Sequence, residues 1–304
     1  MATASELAEK QRRVREFLKA KGFDGLLLAR VENFAWFTGG GQSHVSLAAE
    51  AGVGALLIGR ERKVLITNNV ERPRLTDEEM GGQGFGEEIV PWSEDALAPI
   101  VAKLTGGQRI AADVALPGVT ACPEDIARLR WSLTPAEVDR YRALARDVGA
   151  AIEEACMSLE PGQTEHEAAA ALAAQHFSRG ISPIVVLVAA DERLLKYRHP
   201  LPTENEITAT VILVVCGRRI GLIVSATRIV SFGPVSPELA KKHKAVTAVD
   251  AAFIANTRPG ARIGDVFQQG LEAYAAQGHQ EEWKLHHQRG PTGLKLDPHS
   301  PHES

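Results

Sequence analysis

EPGQTEHEAAAALAAQHFSRG, residues 160–180, and RPGARIGDVFQQGLEAYAAQG, residues 258–278, carry the same punctuation. A Pro-Gly pair opens each stretch and a glycine closes it. Gly162 and Gly180 stand 18 residues apart, as do Gly260 and Gly278. Proline cannot continue a helix, and glycine favours the left-handed position just past a helix end. Each stretch also follows a long helix that a proline starts. Thr134-Pro135-Ala136-Glu137 supplies an N-cap, a first-turn proline and a glutamate three residues after the cap; Ser236-Pro237 opens the other helix. Thr164-Glu165-His166-Glu167 repeats the capping pattern. Unrelated helix–break–helix segments are common, but agreement at both ends of both units reads as a duplicated α+β unit.

Working outward, the first unit runs from Thr134 to Gly233, 100 residues, and the second from Ser236 to Ser304, 69 residues. The spacing predicts helices to about Leu159, Gly180, Asn256 and Gly278, with strands near 183–189, 207–216 and 220–231. The last two strands read as a hairpin turning at Gly217-Arg218-Arg219. The second unit lacks such a hairpin, and LKLDPHSPHES reads as a frayed polar tail. The helices of both units are expected to pack on a sheet built from both. Missing strands would leave an open sheet edge and apolar surface, so dimerisation, association with another partner or poor solubility is expected.

Upstream, residues 5–21 form an amphipathic pattern with Leu7, Val14, Phe17 and Leu18 on one face, closed by Gly22. Leu26–Ala29 reads as a buried strand. Val53–Ile58 and Lys63–Thr67 read as a hairpin across the short link GRER. GGQGFG at 81–86 has the glycines of a phosphate loop without the strand-to-helix context, and reads as a plain turn. The first 125 or so residues thus make a small α/β domain.

The 304 residues are 44% hydrophobic and 24% charged, with a net charge of −4. That mix excludes a disordered chain, a collagen-like repeat and a disulfide scaffold. No run approaches the roughly 20 apolar residues of a membrane span. No basic block points to nucleic acid, and MATASELAEKQRRVREFLKAKG lacks the apolar core of a secretory signal. Cys122, Cys156 and Cys216 are too few and too scattered for a disulfide framework, so a reducing cytoplasm is the expected compartment.

The order of segments resembles the creatinase/aminopeptidase P/prolidase family, the M24 peptidases. The matching stretches are KGFDGLLLARVENFAWFTGG, LTPAEVDRYRALA, LEPGQTEHEAA, KYRHPLPT, CGRRIGLIVSATRIVSFG and LHHQRGPTG, in family order. The resemblance implies an α/β N-terminal creatinase-like domain over residues 1–128 and an α+β pita-bread domain over residues 129–304. The latter would carry an internal pseudo-twofold repeat whose second copy is incomplete. Active peptidases of that family hold two divalent cations (Mn, Co or Zn) through two Asp, one His and two Glu, which activate a shared water. Aligning Gly217-Arg218 and Thr227-Arg228 with the family's landmarks places the two Asp positions on Val214 and Ser225. Cys216 falls on the motif's glycine. Val cannot ligate a cation, and neutral Ser substitutes poorly for carboxylate. LHHQRGPTG resembles the histidine motif, so one of His286 and His287 would be a remnant ligand, His287 being the assignment. The Glu ligands belong to the strands the second unit lacks, and Glu303 is not assigned. No HExxH, CxxC or other ligand-spaced cluster appears elsewhere.

His199, in RHPLPT, matches a histidine that family peptidases use near the scissile bond and that metal-free creatinase uses as its acid/base. The alternative is a side chain simply packed between Arg198 and Pro200. Cys216, at the end of a Val-rich strand, reads as an inert core thiol rather than a nucleophile. The expected function is that of an Xaa-Pro aminopeptidase- or prolidase-like protein without metal-dependent peptidase activity. It would hold no metal cofactor and would bind a peptide or a second copy of itself. The alternatives are an active dipeptidase or Xaa-Pro aminopeptidase and a metal-independent hydrolase using His199.

Overall fold

The computed structural model describes residues 2–285 and 293–295. His286, His287, Glu303 and most of the tail lie outside the described residues.

The N-terminal half begins with α1 (Ala4–Lys21). Thr3 caps its first turn, and Gly22 ends it in the left-handed conformation. It leads into β1 (Gly25–Arg30) and α2 (Val31–Thr38), then β2 (Ala51–Gly59) and β3 (Lys63–Asn68). A short turn α3 (Arg72–Arg74) continues into a π-helical turn at Leu75–Glu79, followed by β4 (Gly86–Val90), α4 (Leu97–Thr105), β5 (Ile110–Ala112), β6 (Thr120–Ala121) and α5 (Pro123–Arg128). The six strands form one mixed sheet in the order β4-β3-β2-β1-β5-β6. The β2–β3 hairpin is antiparallel, as its sequence predicts. Residues 81–85 form a loop in which Gly82 and Gly84 take positive φ, the conformation of a turn.

The second half opens with α6 (Pro135–Met157) and α7 (Glu165–Phe177). Both predicted capping boxes are present, Thr134 with Glu137 and Thr164 with Glu167. Next come β7 (Ser182–Ala190), α8 (Glu192–Lys196), β8 (Thr210–Arg219) and β9 (Leu222–Ser231), an antiparallel sheet in the order β7-β8-β9. Leu144, Val148 and Ile152 of α6 and Leu172 of α7 pack with Leu213 and Val215 on one face of this sheet, in a core continuous with Phe34, Trp36 and Leu56 of the first half.

The hairpin turn differs from the sequence expectation. Gly217 and Arg218 lie inside β8, opposite Val224 and Ile223, and the turn is Ile220-Gly221. Both turn residues have positive φ, the geometry of a two-residue type I′ hairpin. Gly217 is needed in the strand for room. A Cβ there would lie 2.8 Å from Ile181 and 2.9 Å from Val148. His176, fully buried beneath it, hydrogen-bonds the Leu172 carbonyl through Nδ1 at 2.7 Å. Burial depresses the basicity of this imidazole. The unfolded chain therefore takes up the proton first. Stability is complete above the ordinary histidine value near 6.5 and falls as pH drops below it, by up to about 1.4 kcal/mol per pH unit. His176→Leu should flatten the pH dependence of the unfolding free energy between about pH 6.5 and 5; an unchanged slope would assign it to another group.

The second unit contributes α9 (Pro237–Asn256) and α10 (Ile263–Ala276), then a 3-10 turn at Glu282–Leu285. Among the described residues the core beneath these helices contains no strand residue, where the sequence predicts a shared sheet. They pack on each other around Val249, Phe253 and Tyr274, and among the described residues no strand follows them. No described helix is long and apolar enough to cross a membrane. All three cysteines are free.

Candidate functional site on the open sheet face

Side chains alternate across the sheet, so the register of the β8–β9 hairpin assigns each residue to a face. Val214 lies opposite Thr227, and Cys216 opposite Ser225. These four share one face with Leu187 of β7, which lies beside Val214. The other face, with Leu213 and Val215, is the one α6 and α7 cover. Val214 and Ser225, although 11 residues apart in sequence, are diagonal neighbours on the open face, at roughly 7–8 Å. The two positions matched to metal-binding aspartates therefore do converge. What converges is a methyl-bearing side chain and a hydroxyl. The Ser225 Oγ lies 3.2 Å from Cys216 Sγ. Cys216 is only 9% exposed, and burial pushes its thiol up, away from the thiolate a nucleophile or metal ligand requires. Ser225, Thr227 and Ile229 are exposed along the same face.

These residues do not fit a pair of divalent cations. Two dications need several carboxylates close together. Among the described residues no group of three or more His, Cys, Asp or Glu side chains is arranged to hold a metal ion. The proposed His287 contribution lies outside the described residues.

His199 is exposed, in the loop that runs from α8 to β8. The next residue, Pro200, is buried and its carbonyl accepts a hydrogen bond from Val188 of β7 at 3.2 Å. Val188 pairs with Leu213, so the loop flanks the outer edge of β7 at the level of Val214. Two strand spacings separate the loop backbone from Val214, about 10 Å.

The loop is held by a residue that sequence reading missed. Glu165, fully buried at the start of α7, accepts hydrogen bonds from the Ala190 amide (2.8 Å), the Thr203 amide (2.9 Å) and the Thr203 hydroxyl (2.8 Å), and pairs with Arg193. Burial alone would raise its carboxyl, but the bonds from Ala190, Arg193 and Thr203 outweigh it and hold the carboxyl below the usual range. At the far side Arg198 pairs with Glu282 at 2.8 Å. The only hint in the sequence was the capping pattern at Thr164, which singles out Glu167 rather than its neighbour two residues earlier.

The hairpin tip meets the N-terminal half. Ile220 packs on Gly40, and Gly221 sits against Ala35 and Leu294. Arg218, on the open face, hydrogen-bonds His44 at 3.1 Å. Burial, reinforced by the Arg218 and Arg74 charges, keeps the His44 imidazole less basic than usual.

Family models match both halves: Creatinase/Prolidase N-terminal domain over residues 10–122, and Metallopeptidase family M24 over residues 139–302. The chain belongs to metallopeptidase family M24. Solved structures agree on the fold. The prolidase from Pyrococcus horikoshii superposes on 95% of this M24 chain and 83% of its own, with a TM-score of 0.78 and 17% identity. The dipeptidase PepE from Mycobacterium ulcerans gives 96%, 82%, 0.77 and 19% respectively. The N-terminal domain of the FACT complex subunit SPT16 from chickpea (Cicer arietinum) gives 89%, 77%, 0.62 and 9%. No curated protein matches in sequence. The expected creatinase-like and pita-bread architecture is thus the one observed.

Proposed function

We propose that this M24 chain is a prolidase- and Xaa-Pro-peptidase-like protein that binds peptides without hydrolysing them by metal-dependent chemistry. One observation carries the reading. The two positions matched to the family's aspartates meet on the open face, and they are Val214 and Ser225. Neither supplies the negative charge that two dications demand. On this reading His287 is a remnant, and no metal is a resident cofactor.

The test measures metal content and Xaa-Pro dipeptide hydrolysis on one purified sample, with and without added Mn²⁺, Co²⁺ or Zn²⁺. The expected result is no stoichiometric metal and no metal-stimulated cleavage. Turnover abolished by a chelator would overturn the proposal. His199 supports a second reading, because Glu165 and Arg193 keep its loop in a fixed shape. Turnover that is indifferent to chelator and lost in His199→Ala would establish a metal-independent hydrolase instead.

A further inference from the structure

We propose that the contact between His44 and Arg218 is a proton-operated latch: the neutral imidazole holds the tip of the β8–β9 hairpin against the first half, and protonation releases it. The argument begins with what each group can do. A guanidinium only donates hydrogen bonds. The 3.1 Å bond from Arg218 Nη2 therefore ends on a lone pair of His44 Nε2, which fixes the neutral tautomer with its proton on Nδ1. An imidazolium has no such lone pair. One proton thus removes the acceptor and sets a second positive charge against the first.

The surroundings sharpen the effect. Arg74 of α3 brings a further cation, donating to the His44 carbonyl at 3.3 Å. Among the described residues no carboxylate pairs with His44 or Arg218, and Glu32 of α2 is the one acid whose charge reaches Arg218. Glu32 lines the same small cavity, but it already faces Arg30 and Lys295, each at 3.9 Å. Glu71 and Glu79 are taken up by Arg74, at 3.1 and 3.3 Å. Burial and the two guanidinium charges make the imidazole less basic than usual. The seated state therefore resists a proton that the released state accepts, and seating is lost as pH falls below the ordinary histidine value near 6.5.

The first half holds its position, so the hairpin is the side that moves. The Gln42 amide donates to Glu79 at 2.7 Å, the Gln42 carbonyl accepts from Arg74 at 2.8 Å, and the Ser43 carbonyl accepts from the Val53 amide at 2.7 Å. The segment that carries His44 is thus fastened residue by residue. The hairpin tip is strained instead. Ile220 turns with φ +53°, which a β-branched residue disfavours, while packed on Gly40. The strands so freed carry Val214 and Ser225, so one proton loosens the wall of the open face whether or not peptides bind there. On the other face of β8, Arg219 pairs with Asp147 at 2.7 Å, and His176 lies beneath Gly217. His176 is the other imidazole whose protonation would disturb this hairpin, and the experiment separates the two.

The experiment is hydrogen–deuterium exchange of the full chain from about pH 7.5 to 5, with each rate corrected for the intrinsic pH dependence of amide exchange. It reads residues 38–44 and 219–224 in wild type, His44→Gln and His44→Lys. Glutamine offers an uncharged acceptor at about the reach of Nε2, and lysine is a permanent cation. In wild type both segments should lose protection below about pH 6.5, by up to about tenfold per pH unit. His44→Gln should stay protected throughout. His44→Lys should be less protected by about tenfold or more already at neutral pH, with an unchanged circular dichroism spectrum. Wild-type protection that is indifferent to pH overturns the proposal. So does an acid loss that persists in His44→Gln, which would assign it to His176, and so does a folded His44→Lys as protected as wild type. If His44→Lys fails to fold, wild type and His44→Gln decide.

Discussion

Gly40→Ala should destabilise the protein by roughly 2–5 kcal/mol, the sum of backbone strain and overpacking. Gly40 has φ +123°, a conformation that side chains resist, and an added Cβ would lie 1.8 Å from Ile220 Cγ2. Ile220 cannot simply withdraw. It occupies the hairpin turn with φ +53°, itself an unfavourable conformation for a β-branched residue. The clash therefore falls on the seam between the two halves, where the hairpin tip seats on the end of α2. Urea unfolding of Gly40→Ala in the wild-type and Ile220→Ala backgrounds separates the two causes. The cost should shrink by about 1 kcal/mol or more when Ile220 is trimmed. An equal cost in both backgrounds would assign the whole effect to the backbone.

Lys10→Met should cost about 3–5 kcal/mol, because it leaves buried carboxylates short of a counter-charge. Lys10 is fully buried, and its Nζ lies 2.7 Å from Glu6 and 2.9 Å from Glu137. Arg140 completes the cluster with two bonds to Glu6, at 2.8 and 2.6 Å. Two carboxylates and two cations thus bolt α1 to α6, and Glu137 also closes the capping box that starts α6. Burial alone would raise the Glu6 carboxyl, but Arg140 and Lys10 outweigh it and hold it below its ordinary value of 4.5. Its contribution is full above that value and is lost as pH falls through the depressed one. The gap in unfolding free energy between wild type and Lys10→Met should accordingly narrow in acid. It should respond little to salt, because a buried pair is poorly screened. A gap that collapses with salt at neutral pH would show that the cluster is solvated.

Much of this fold is legible in local sequence. The capping boxes at Thr134 and Thr164 and the Gly22 helix end are decided by neighbours three or four residues away, and each was found where the sequence puts it. The hairpin turn was not. Glycine signals a turn because it tolerates positive φ, yet Gly217 is glycine because Ile181 and Val148 leave no room for a side chain. An isoleucine is the turn residue because its side chain docks on Gly40, more than 170 positions earlier. Position 217 is decided by packing and position 220 by tertiary contact, and neither is visible in a local window. The same division holds at the site. Motif landmarks located Val214 and Ser225, and strand register brings them to one face. The Glu165 cluster remained hidden because its partners, Ala190, Arg193 and Thr203, are scattered over later segments.

The bolt between α1 and α6 also bears on how the chain is made. Glu6 meets Arg140 across 134 residues of sequence, so the partners leave the ribosome far apart in time. Until α6 is synthesised, Glu6 and Lys10 have only each other, and the face of α1 they occupy is open to water. At synthesis rates of roughly 5–20 residues per second that interval lasts several seconds or more. The first half of the nascent polypeptide therefore waits for its closing charges, and a stalled or prematurely released product would expose that face to chaperones and proteases.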